Sequence, residues 1–65
     1  MTGSKLFQDI IKTTLIENIK IIYRNDEYEA RVVMFSSLSA SDVVDFMGRK
    51  IDSFYKIDGF WTIVI

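Results

Sequence analysis

The residues best suited to chemistry in this chain are carboxylates and aromatics. Asp26, Glu27 and Glu29 surround a turn, and Asp42 and Asp45 stand three residues apart, a spacing that puts both on one side of a helix. Spaced carboxylates on a rigid surface imitate the phosphates of a nucleic acid and occupy a basic groove built for DNA. A plainer alternative is a solvated turn and an ordinarily charged helix face. Tyr23, Tyr28, Phe35, Phe46, Phe54, Tyr55, Phe60 and Trp61 are many aromatics for 65 residues. Most suit a core or an interface between copies. One or two suit a pocket that grips a partner's apolar side chain, since Trp and Tyr are frequent binding hot spots. The five carboxylates are the candidate partner-binding residues.

Catalysis is the least favoured function. The chain has no histidine and no cysteine, which removes the commonest general base, the thiolate nucleophile and the usual zinc ligands. No Gly-rich phosphate loop occurs. A two-layer domain of this size leaves little room for an enclosed pocket of several hundred cubic ångströms. No enzyme activity, cofactor or metal is expected. Direct nucleic-acid binding is also disfavoured, because it calls for a basic footprint. Residues 1–24 carry Lys5, Lys12, Lys20 and Arg24 against Asp9 and Glu17, a balance of +2; the remainder carries four basic and seven acidic groups, a balance of −3, giving −1 in all. Arg49-Lys50 falls near a helix end, where cations complement the dipole anyway.

These residues must be positioned by six elements. Residues 4–16 read as an amphipathic helix capped by Ser4, with Leu6, Phe7, Ile10, Ile11 and Thr14 on one face. Residues 18–24 switch to a period of two, with Ile19, Ile21 and Tyr23 opposed to Lys20, Ile22 and Arg24. After the turn residues Asn25-Asp26-Glu27, residues 28–36 alternate again, which makes a β-hairpin. Leu38-Ser39-Ala40-Ser41-Asp42 opens a second helix, capped by Ser39 or Ser41. Val43, Phe46 and Met47 form its buried face, Asp42, Asp45 and Arg49 its other side, and Gly48 its stop. Residues 51–57 and 60–65 form a second hairpin about Asp58-Gly59, the pair that a type I′ turn prefers. A two-residue turn there pairs Ile57 with Phe60, Tyr55 with Thr62, and Ser53 with Val64.

The expected fold is therefore α+β, in the order α-β-β-α-β-β: an antiparallel sheet of two hairpins with two helices on one face, in a single domain spanning residues 1–65. The second hairpin is apolar on both faces, and helices cover only one face of a sheet. Phe54, Trp61, Ile63 and Ile65 are the expected dimer interface. A chain this short buries only about 60% of the surface its unfolded form exposes. With neither disulfide nor metal to staple it, a second copy is the remaining support. No apolar run approaches the roughly 20 residues of a membrane span, and no signal peptide is visible. A cytoplasmic protein with no membrane partner is expected.

Leu38-Ser39-Ala40-Ser41-Asp42-Val43-Val44-Asp45-Phe46-Met47-Gly48, with the order hairpin, helix, strand over residues 18–57, resembles the small dimeric uracil-DNA glycosylase inhibitors of short-tailed Bacillus phages. Leu-Ser-x-Ser-Asp followed six residues later by Gly carries most of the likeness. The resemblance implies a homodimer that mimics DNA, fills the glycosylase's DNA groove with acidic side chains, and traps its protruding apolar residue in an aromatic-lined pocket. The family's contact positions fall here on Val33, Val43, Val44 and Met47; Leu38, Ser39, Ser41, Asp42 and Gly48 carry over. The expectation is a non-enzymatic protein-binding module, a phage-type inhibitor of a host DNA-processing enzyme, with uracil-DNA glycosylase the candidate partner and the host cytoplasm its location. The alternatives are a small nucleic-acid-binding accessory or regulatory protein, and a structural oligomerisation module.

Overall fold

The computed structural model describes residues 1–24 and 29–65. Its elements run α1 (Gly3–Ile10), β1 (Ile19–Arg24), β2 (Ala30–Met34), α2 (Ala40–Gly48), β3 (Ser53–Ile57) and β4 (Phe60–Val64), with single 3₁₀ turns at Ile16–Asn18 and Phe35–Ser37. The class is α+β, with two helices and a four-stranded sheet among the described residues. No helix of the described residues is long and apolar enough to cross a membrane.

α1 is shorter than its periodicity suggests. α1 starts two residues after Met1 because the Thr2 hydroxyl, rather than that of Ser4, accepts the Lys5 N–H at 3.3 Å. It ends at Ile10, where two β-branched pairs follow, Ile10-Ile11 and Thr13-Thr14, and such side chains crowd the preceding turn. α2 is capped by Ser39, whose hydroxyl accepts the Asp42 N–H at 3.3 Å. Gly48 is its last residue, but without a left-handed φ. The helix stops instead because Arg49 is already extended. Phe46 is fully buried, and Val43 and Met47 pack against the same core, which is the face the spacing predicts.

Both hairpins form as the alternation predicts. Asp58 and Gly59 have φ of 52° and 83°, the two positive values of a type I′ turn, and Ile57–Phe60, Tyr55–Thr62 and Ser53–Val64 are paired. The join between the hairpins differs from the expected antiparallel sheet. Strand order is β2-β1-β4-β3, and the central strands β1 and β4 run parallel, with Ile19 beside Trp61 and Ile21 beside Ile63. The reason is burial. These are the two strands richest in Ile, Val and Trp, and a central place pairs each on both edges.

The core lies between the helices and one sheet face. Leu6 and Ile10 from α1, Phe46 from α2, Phe35, Ile51, and Ile19, Ile21 and Ile63 from the central strands form it. Phe35 stacks on Phe7 at 4.9 Å and meets Phe46 edge-on at 5.6 Å. The helices meet where Gly3 lies against the Phe46 backbone: a Cβ on Gly3 would overlap the Phe46 carbonyl oxygen.

Candidate protein-binding face

Side chains alternate along a strand, so the observed register sorts the sheet into two faces. One carries Ile19, Ile21, Tyr23, Trp61, Ile63 and Ile65 and packs on the helices. This corrects the expected dimer interface. Ile63 has no exposed surface to offer a second chain. Trp61 and Ile65 pack against the same core. Phe54 alone of that set is exposed, at the outer strand, with its ring 5.9 Å from that of Trp61. The parallel join is what moves these residues inward, because it sets β4 in the middle of the sheet beneath the helices.

Among the described residues no helix covers the opposite face. It presents Ile22 from β1, Val32 from β2, Tyr55 and Ile57 from β3, and Phe60 and Thr62 from β4. Val32, Ile57, Tyr55 and Phe60 are 59%, 57%, 43% and 37% exposed. With Lys20 and Asp58 these six residues line a groove of about 350 Å³. It is an open surface feature rather than an enclosed pocket, and its walls are mainly aliphatic and aromatic. The Lys20 ammonium lies 5.3 Å from the centre of the Phe60 ring, close enough for attraction to the ring face. One wall therefore holds a cation over an aromatic, while Asp58 contributes a carboxylate from the turn.

The candidate carboxylates are dispersed. Asp26 and Glu27 lie outside the described residues, and Glu29 is exposed just before β2. Asp42 and Asp45 are exposed on α2, which packs on the other face of the sheet, so they and the groove look in different directions. Asp45 accepts a hydrogen bond from the Arg49 Nε at 3.0 Å. Both carboxylates act on Tyr23. Burial first, then the charges of Asp42 and Asp45, raise its hydroxyl above the usual 10.0, while Arg31 and Arg49 oppose the rise. The Arg31 guanidinium sits 5.1 Å from the centre of the Tyr23 ring. Two carboxylates and two guanidiniums thus act on the Tyr23 hydroxyl, the carboxylates more strongly. The groove was not legible from the strands taken singly. The period of two puts Lys20 and Ile22 on one side of β1, and the two-residue turn pairs Ile57 with Phe60 and Tyr55 with Thr62, but joining these into one wall requires the β1–β4 pairing.

No family model, curated protein or solved structure matches this chain.

Proposed function

We propose that the chain is a non-enzymatic protein-binding module that grips an apolar side chain of its partner in the groove of the uncovered sheet face. The observation that carries this reading is the groove itself: exposed Val32, Tyr55, Ile57 and Phe60 around about 350 Å³. That space takes one or two large side chains, and its aromatic walls are of the kind that dominate interface energetics. Exposed apolar surface of this sort marks contact sites. We take the partner to be a host DNA-processing enzyme, with uracil-DNA glycosylase the first to test, and the chain to be a homodimeric phage-type inhibitor acting in the host cytoplasm. The resemblance over residues 18–57 calls for an aromatic-lined pocket, but its contact positions lie elsewhere: Val33 shares the helix-covered face with its pairing partner Ile21, and Val43, Val44 and Met47 are on α2. The groove rests on its own geometry. In this reading Asp42 and Asp45, being remote from the groove, steer the encounter rather than fill the contact.

The test is capture from bacterial lysate on the immobilised chain, beside an Ile57→Asp variant, with duplex DNA as competitor. A DNA-processing enzyme retained by the wild type, displaced by DNA, and not retained by the variant supports the proposal. Direct, steeply salt-dependent binding of DNA by the chain itself would favour a nucleic-acid-binding regulator and overturn it. Equal retention of the same enzyme by both forms would move the contact off the groove.

A further inference from the structure

We propose that two copies of this chain associate through the outer edge of β3, antiparallel about a two-fold axis at Tyr55. β3 is the last strand of the sheet, and every residue from Ser53 to Ile57 is exposed. The tight turn makes Ile57–Phe60 a pair that exchanges backbone hydrogen bonds, and antiparallel pairing then alternates. Phe54 and Lys56 therefore turn their N–H and C=O groups away from β4. Among the described residues no other backbone group meets them. Such an edge is a template for another strand. This one carries exposed apolar side chains on both faces: Phe54 on one, and Tyr55 and Ile57 on the other.

The occupant that fits is a second copy, because the strand is complementary to itself in one register. With Tyr55 opposite Tyr55 of the partner subunit, each Phe54 faces the other chain's Lys56. All four outward N–H groups then meet outward carbonyls. Each ammonium lies beside an aromatic ring, the same attraction that Lys20 already makes with Phe60. The neighbouring registers are worse. Centring on Lys56 sets two ammoniums opposite each other inside the strand, whereas the Tyr55 register opposes like charges only beyond β3, where Asp52 meets Asp58 of the partner subunit. Centring on Phe54 opposes Lys56 to Asp52, whose N–H is already given to the Val64 carbonyl at 2.9 Å, so a bond is lost in each copy. The Tyr55 register joins two sheets into one, keeps all four helices on the same side, and lays the two grooves side by side on the other. This deepens the proposed function by supplying its homodimer, but its test needs no partner enzyme.

The native chain lacks cysteine, so single cysteines report the register directly. Opposed residues of an antiparallel pair without mutual backbone bonds come close enough for a disulfide. Under mild oxidation, Tyr55→Cys is expected to form a covalent dimer about tenfold faster than Phe54→Cys or the helix-surface control Val44→Cys. Sedimentation equilibrium of the wild type should give twice 7.6 kDa, and Lys56→Pro, which removes an outward N–H, should give a monomer. Comparable rates at all three cysteines, or a monomeric wild type, would overturn the proposal. Faster linkage at Phe54→Cys would overturn the register. Any of these results leaves capture by the groove standing or falling on its own assay.

Discussion

Gly3 rests against the carbonyl of Phe46, so closely that a methyl group on Gly3 would overlap the oxygen. The contact joins the first turn of α1 to the last of α2. It is reinforced by the Gly3 N–H, which donates to the Arg49 carbonyl at 2.8 Å, and by the Ile51 N–H, which donates to the Met1 carbonyl at 2.9 Å. The start of the chain is thereby tied to the segment that leads into β3. The glycine is needed for close approach rather than for an unusual φ.

Gly3→Ala should therefore destabilise the fold although alanine is the better helix former. The neighbour is backbone, which cannot rotate aside, so an overpacking cost of about 1–3 kcal/mol is expected. For a domain of this length each kcal/mol lowers Tm by about 4–8 °C. Calorimetry of the variant should show that loss, whereas Gly48→Ala, with open space around its Cβ position, should melt no lower than the wild type.

Tyr23 gives the fold a pH dependence of known sign. Its folded-state hydroxyl titrates above 10.0 because of burial and the charges of Asp42 and Asp45, so the folded state holds that proton more tightly than the unfolded chain does. The resulting stability is complete below the unfolded value and is lost as pH rises through the raised folded value. Urea midpoints between about pH 9 and pH 11 should fall more steeply for the wild type than for Tyr23→Phe. Parallel curves would show that another group governs the alkaline limb.

Charge reversal on α2 separates steering from contact. Asp42→Lys with Asp45→Lys should slow association with the partner enzyme and weaken its salt dependence, because exposed charges act over about 10 Å at 0.1 M salt. Dissociation should change little, since both residues are remote from the groove. Asp42→Lys also places a cation in the first turn of α2, which costs about 0.3–1 kcal/mol of stability, and Asp45→Lys removes the ion pair with Arg49. Stopped-flow rates at two salt concentrations distinguish these effects; a large rise in the dissociation rate would place the carboxylates inside the contact.

Much of the fold was legible locally, and the site was legible only in pieces. Asp58-Gly59 announced a type I′ turn, and the alternation of Ile19, Ile21 and Tyr23 against Lys20 and Ile22 fixed which side of β1 is buried. Those signals are local because they depend on φ and on period. The parallel pairing of β1 with β4 depends instead on which strands compete best for the centre of the sheet, a property of all four together. Assigning Trp61, Ile63 and Ile65 to an interface followed from treating the second hairpin as an edge. The same omission hid the groove, since Val32 and Ile57 belong to opposite hairpins. Nothing in the neighbours of Gly3 signals a helix crossing.

Uracil excision from a labelled duplex, measured while the chain is titrated into the glycosylase, tests the central claim most directly when wild type and Ile57→Asp are run side by side. Ile57 is exposed, so the substitution should cost the fold no more than about 1 kcal/mol, which melting curves verify. The account predicts that the wild type suppresses excision and that the variant loses at least about tenfold in potency, the loss of a hot-spot contact. Unchanged excision at a large molar excess of the wild type, with no complex on a native gel, would contradict the assigned partner, and equal suppression by both proteins would contradict the groove.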